Sequence, residues 1–296
     1  MLEYLNRAGD FIETNKFSYL AQDNPAVSII FCKTDFLFQE FERIKNLDKK
    51  VILITGNSDY PITKTHADLA PENLIRLYGQ NVLCNDDRFV PVPMGLASSV
   101  ICRRSFEHGV WYDWSVPMQH SLFEQSQAKS SPKEDLFLYF NCGIHTNPNH
   151  RGFIHAKIQE LDFVNYSAKK SFPDFFQDIL DHKMTICPAG NGLDTHRLWE
   201  VLYLNRVPVV ILTSQQACQG GVPADDLLDY SNYSIYKNLY SKLPIVILND
   251  VEDLQDKNLI EKLYNEAKNK STDLAYFSNW KKIILNDFES EFIENK

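Results

Sequence analysis

Short apolar runs alternate with stretches of helical periodicity along the chain, and that alternation predicts strands and helices in turn. Ala26–Cys32 (AVSIIFC) reads as a strand. Asp35–Ile44 reads as a helix, with Phe36, Phe38, Phe41 and Ile44 near one face. Lys50–Thr55 (KVILIT) is a continuous apolar run ending at Gly56, the pattern of a strand covered on both faces of a parallel sheet. Leu74–Tyr78 is a further short strand. Phe89–Leu96 carries two prolines and is therefore an edge strand or an extended loop. The second half repeats the alternation. Strands are expected at Asp135–Cys142, Phe163–Tyr166, Lys183–Cys187, Val207–Leu212 and Leu243–Leu248. Helices are expected at Pro148–Leu161, Phe172–Asp181, Leu193–Leu204, Asp250–Asp256 and Leu259–Lys268.

The polar, Ser-rich stretch 119–134 (QHSLFEQSQAKSSPKE) separates the halves as a linker would. The expected fold is therefore α/β, with two domains carrying mainly parallel sheets: residues 1–120 and residues 135–275, followed by a C-terminal helix over 276–296 that packs back on the first domain. A length of 296 residues suits two domains.

Composition narrows the function classes. Apolar residues at 44% and charged residues at 23% are ordinary for a globular chain. A net charge of -9 disfavours nonspecific binding to nucleic acid, while a local basic site for a small anion stays open. No run approaches the roughly 20 apolar residues of a membrane span, and the N-terminus lacks a signal-peptide pattern. The six cysteines are scattered without a C-x-x-C pair, which argues against a disulfide framework or a zinc site. The expectation is a reduced, cytoplasmic protein.

The segment 183–212 (KMTICPAGNGLDTHRLWEVLYLNRVPVVIL) carries the chemistry. It reads as strand, glycine loop, helix, strand. Gly190 and Gly192 lie where the chain leaves the first strand, so a phosphate could approach the backbone and the amides at the next helix start. The third glycine of a dinucleotide fingerprint is missing. On the helix, Leu198, Val201 and Leu202 form a buried stripe, which leaves Glu200 on the opposite, exposed face. Arg197 or His196 suits a diphosphate, and Glu200 suits ribose hydroxyls. Asp194 would repel a phosphate and reads as an N-cap or as an acceptor for a sugar hydroxyl. An Arg197–Glu200 surface pair with a solvated His196 is the plainer alternative. Arg151, with His150, follows the strand at Asp135–Cys142 and is a second phosphate clamp or a solvated helix cap. Asn141 at that strand's end binds a ligand or closes a turn.

The run from Cys187 through Gly190, Gly192, Asp194, His196, Arg197, Trp199 and Glu200 to Val210 resembles the donor-site segment of exostosin-like glycosyltransferases (glycosyltransferase family 47 and relatives). Tyr139-Phe140-Asn141 with Thr146-Asn147-Pro148 and Arg151, Leu243-Pro244-Ile245-Val246 with Asp250, and Trp280 agree in order and spacing. The resemblance covers about residues 135–285 and is looser before them, at Gly56-Asn57-Ser58-Asp59 and around Pro91–Leu96.

The resemblance implies two Rossmann-like domains facing a central cleft, the GT-B type, with residues 1–120 on the acceptor side. It implies transfer from a nucleotide-sugar, a UDP-sugar first, to a hydroxyl of a glycan or glycolipid, with inversion and without a metal cofactor, in surface polysaccharide synthesis. Peripheral membrane association would suit a glycolipid acceptor. A CMP-sugar donor, or a non-catalytic protein binding sugar nucleotides or glycans, are the alternatives. Inversion needs a base on the acceptor side. Asp59, just past Thr55, is the first choice, with His66 and Asp68 downstream. A turn or N-cap aspartate is the plainer reading of Asp59. Trp111, Tyr112 and Trp114 stack on sugars or, more simply, pack in a core, and Arg103-Arg104 is too short for a nucleic-acid patch.

Overall fold

The computed structural model describes residues 10–13, 15–97, 104–107, 110–113, 123, 131–167, 170–212 and 234–294. Arg103, Trp114, Cys102, Cys218 and most of the 119–134 linker lie outside the described residues.

The first sheet has five strands in the order β1-β2-β3-β4-β5: Gln22–Asp23, Val27–Lys33, Lys50–Gly56, Leu74–Gly79 and Phe89–Pro91. The short β1 runs antiparallel to β2, and the remaining pairs are parallel. The proline-bearing β5 takes the edge, where a missing N–H costs no ladder bond. Side chains alternate between two apolar clusters. Val51 and Leu53 meet helix α1 (Leu37–Lys45), while Ile52 and Ile54 face the opposite way, toward Trp280 and Ile284. The stripe of α1 is Leu37, Phe41 and Ile44, so the expected placement of Phe36 and Phe38 on that face is corrected: both are exposed. Helix α2 (Lys64–Leu69) follows β3. A hairpin, β6 (Arg104–Glu107) with β7 (Val110–Asp113), holds the backbone of Trp111 and Tyr112.

The second sheet comprises β8 (Leu138–Phe140), β9 (Val164–Tyr166), β10 (Met184–Ile186), β11 (Val207–Ile211) and β12 (Val246–Leu248). All its pairs are parallel, in the spatial order β9-β8-β10-β11-β12. Helices cover both faces. Ile154 and Ile158 of α3 (Pro148–Ile158) and Ile260 of the helix Lys257–Ala267 cluster with Leu138, Phe140, Ile186 and Val209. Tyr139 and Val210 share the other cluster with α4 (Phe172–Asp181), α5 (His196–Tyr203) and α6 (Ser234–Tyr240), which also holds Ile52 and Ile54 of the first sheet. The helices after β12 are α7 (Lys257–Ala267) and α8 (Phe277–Glu294); the expected helix at Asp250–Asp256 is a single 3₁₀ turn, Glu252–Gln255.

The chain is thus α/β, with two mostly parallel sheets and helices compatible with Rossmann-like units. α8 crosses back to the first sheet. Asp287 accepts a hydrogen bond from Tyr78 Oη at 2.5 Å and lies 3.3 Å from Arg76, and Glu291 pairs with Lys50 at 2.6 Å. No described helix is long and apolar enough to cross a membrane.

Candidate functional site

The second sheet reverses direction between its first and third strands in chain order. The chain leaves β8 toward α3 on one face and leaves β10 toward α5 on the other, so a crevice opens past the carboxyl ends of β8 and β10. Open α/β sheets take ligands at such a point. Asn141 and Arg151 reach it from the β8–α3 connection. Arg197, with Glu200 beside it, reaches it from α5, the helix that the β10–α5 loop with Gly190 enters. The helix begins at His196 rather than at the expected Leu193, which leaves 187–195 as a loop.

Two guanidinium groups line this crevice. Arg151 donates from Nε to Ala189 O and from Nη1 to Gly143 O, both at 2.8 Å. Arg197 donates from Nη1 to Asn141 O, lies 3.4 Å from Glu200 Oε2 through Nε, and stacks 3.9 Å over the Phe175 ring. Burial first, then the Arg197 charge, pushes the Arg151 guanidinium below its ordinary value. The Nη2 group of each arginine makes no hydrogen bond among the described residues. Gly190 sits beside the first of them: a Cβ there would lie 3.1 Å from Arg151 Nη2. Asn147 Nδ2 anchors the loop by donating to Gly190 O at 3.0 Å. The Thr195 side chain makes no capping hydrogen bond to α5. His150 is fully buried, and burial plus the Arg151 charge holds its ring near 4, hence neutral.

Three sequence expectations, for Asp194, Gly192 and Glu200, are corrected in detail. Asp194 does not meet a sugar hydroxyl: it is 1% exposed, and its oxygens accept from Met94 N (2.7 Å), Trp199 Nε1 (2.9 Å), Thr195 N (3.0 Å) and Tyr240 Oη (3.1 Å). Burial outweighs those four donors and raises its carboxyl to about 6. Gly192 does not make room for a phosphate, because the Asn81 side chain stands 2.6 Å from where its Cβ would be. Asn81 Oδ1 accepts from Asp194 N at 3.2 Å, and its φ of 55° is one that asparagine tolerates. Glu200 is not on an exposed face; it is 7% exposed, because α5 is covered on both sides. Asn141 directs its amide at Ser167, donating to its carbonyl at 3.0 Å. His196 donates from Nδ1 to Gly95 O at 2.7 Å, since a carbonyl can only accept, and this leaves Nε2 on the outer side of the ring bond.

The three base candidates part company. Asp59 is exposed, and its Oδ2 accepts from Asn191 Nδ2 at 3.0 Å, so it stands one hydrogen bond from the glycine loop. His66 Nδ1 lies 3.1 Å from Thr63 N in a capping box, and its ring stacks on Phe38 of α1. Asp68 is paired with Lys64 at 2.5 Å. Neither of those bonds reaches the crevice. Asn191 and Asn81 were not singled out from the sequence. Asn191 has one local signal, a polar residue between two loop glycines, and Asn81 another, an asparagine just past a strand end.

Glu200 supplies the only carboxylate paired to either arginine among the described residues, so the crevice carries excess positive charge where an anion would relieve two partly desolvated cations. No family model matches the chain, and no curated protein matches it.

Proposed function

We propose that the protein is a glycosyltransferase of the exostosin-like kind, built on the GT-B plan. It takes a nucleotide-sugar donor, a UDP-sugar first, and transfers the sugar to a glycan hydroxyl with inversion. The observation that carries this reading is the pairing of Arg151 and Arg197 at the sheet's reversal point, with Nη2 donors of both left without protein partners among the described residues. A nucleoside diphosphate matches that geometry: its phosphate oxygens accept from the two guanidinium groups. Glu200 then stands beside Arg197 to accept from the ribose.

In the transfer, Asp59 takes the proton of the acceptor hydroxyl. The freed oxygen forms a bond to the sugar's anomeric carbon as the bond from that carbon to the diphosphate breaks. The charge developing on the leaving diphosphate meets Arg151 and Arg197, whose attraction grows as the bond lengthens. The Asp59–Asn191 hydrogen bond supports placing the base opposite the donor loop.

A thermal-shift panel of UDP, GDP and CMP tests the reading, since a ligand that binds only the folded chain raises its melting temperature with concentration. We expect one nucleotide to stabilise the parent and Arg197→Ala to reduce that stabilisation without abolishing it. No shift with any of the three, or an equal shift in the variant, overturns the donor site. With an active donor, Arg197→Ala lowers kcat more than it raises KM; a change confined to KM contradicts the leaving-group role.

A further inference from the structure

Asn191-Gly192, in the loop between β10 and α5, is the only Asn-Gly pair in the sequence. Three observations set it apart from the other asparagines. The Asn191 residue is exposed, so water reaches it. The Gly192 amide makes no hydrogen bond among the described residues. The fold also demands the glycine, because a Cβ at 192 would lie 2.6 Å from the Asn81 side chain. With no Cβ on Gly192, its backbone nitrogen can approach the neighbouring carboxamide unhindered. Other loop asparagines lack this combination. Asn147 is buried and precedes Pro148, which has no N–H, and Asn81 is fully buried and precedes the branched Val82.

We infer that Asn191 is a site of spontaneous deamidation, and that its product releases the glycine loop from Asp59. The Gly192 nitrogen attacks Asn191 Cγ. The new N–Cγ bond forms as the Cγ–Nδ2 bond breaks, and Nδ2 leaves as ammonia with the proton of the Gly192 amide. Solvent water then opens the cyclic imide. Addition at Cγ gives aspartate, and addition at the main-chain carbonyl of residue 191 gives isoaspartate. The balance is a water consumed, an ammonia released, and a neutral amide exchanged for a carboxyl group that ionises at neutral pH. That exchange falls on a contact between the two halves of the chain. Asn191 Nδ2 donates to Asp59 Oδ2 at 3.0 Å, whereas a carboxylate in its place can only accept and carries the same charge as Asp59. Isoaspartate also lengthens the main chain by a methylene just before Gly192, whose carbonyl accepts from Gly190 N at 2.9 Å. The loop that carries Gly190 past Arg151 thus contains the chemistry that loosens it. Neither the reaction nor the loss of the contact depends on the donor reading above.

The experiment holds the full folded chain in heavy-oxygen water at mildly alkaline pH and body temperature. Digestion in ordinary water follows, and mass spectrometry tracks the tryptic peptide 184–197, in which Asn191 is the sole asparagine. Heavy oxygen marks deamidation that occurred in the folded chain and not during handling. We expect this peptide to gain label faster than any other asparagine-bearing peptide. Its rate should lie within about tenfold of that in the chain unfolded by urea, because no prior opening of the fold is required. Asn191→Gln should suppress the gain. The release is read separately by hydrogen exchange, which should quicken over 57–60 in Asn191→Asp. Adding Asp59→Asn to that variant restores a donor and an acceptor with their roles exchanged, and should return the exchange toward the parental rate. Unaltered melting temperatures show that each variant folds. A folded chain that keeps Asn191 amidated while the unfolded chain loses it overturns the site. Parental exchange over 57–60 in Asn191→Asp, or no recovery in the double variant, overturns the release. Nucleotide enters none of these measurements, so the thermal-shift panel and this test fail independently.

Discussion

Asp194→Asn should remove a pH dependence that runs opposite to ordinary acid denaturation. The Asp194 carboxyl is buried between the two sheets and titrates at about 6, against 3.8 for an unperturbed aspartate. The cause is desolvation, which the bonds from Met94, Trp199, Tyr240 and Thr195 offset only in part. Between those two pH values the folded chain holds a proton that the unfolded chain has lost, so stability falls as pH rises. The contribution is fully present below about 4 and gone by somewhat above 6. A difference of about two pH units, at roughly 1.4 kcal/mol each, makes it about 3 kcal/mol. Other carboxylates pull the other way: Asp86 and Asp181, paired with Arg88 and Lys133, are held below their ordinary values and lose stability on acidification. The parent's own curve therefore mixes opposing slopes, and the difference between parent and variant isolates Asp194. Tyr240 and Tyr203 beside it stay neutral throughout, since burial raises both far above 10. Urea unfolding from pH 4 to 8, extrapolated to water, measures the difference. Parent stability minus variant stability should fall by about 3 kcal/mol between pH 4 and 7. A flat or rising difference would refute the account of a desolvated carboxylate.

Gly192→Ala should destabilise the fold by about 1–3 kcal/mol, because a Cβ would displace the Asn81 side chain that accepts from Asp194 N. Asn81→Ala should remove most of that penalty in a double-mutant cycle read by urea unfolding; strictly additive effects would contradict the contact. Asp59→Asn should cut transfer by about 10²–10⁴-fold with nucleotide shifts retained. His66→Ala and Asp68→Asn should transfer near the parental rate, since their bonds run to Thr63 and Lys64; loss of transfer in either would move the base to α2.

The two sheets were largely legible because a run such as Val51–Ile54 has no polar side for solvent and must be covered on both faces. The register of α1 was less so. Phe36, Phe38, Phe41 and Ile44 look like one face in a list of apolar residues, but Phe36 and Phe38 are two apart, and the helical series that closes on the core is Leu37, Phe41, Ile44. Exposure of two phenylalanines is then a feature of the fold and not of the local pattern. Gly192 and Asp194 failed for a different reason. A glycine is demanded equally by an approaching phosphate and by an approaching Asn81 side chain, and a loop carboxylate is satisfied equally by sugar hydroxyls and by Met94 N. Those partners lie about a hundred residues away in the chain, so no window of sequence around 190–200 distinguishes the two cases.

Arg151 and Arg197 stand on the other side of that line. Either one alone reads as a helix-end cation near a carbonyl, and each does bond carbonyls of its neighbouring loop. What makes them the proposed anion site is that they come from the connections after the first and third strands of one sheet, and that those strands are neighbours. The alternation of strand and helix predicts both connections but not the order of the strands. The order β9-β8-β10-β11-β12 places the second strand outside the first, which sends the two following helices to opposite faces and leaves their starting loops facing across an open crevice. With the order of the first sheet, β2-β3-β4-β5 in simple sequence, the same two residues would belong to adjacent loops bending to one face, with no reversal between them. The proposed donor site is therefore a consequence of topology acting on two ordinary arginines, and its chemistry rests on Nη2 groups that the surrounding loops leave without partners among the described residues.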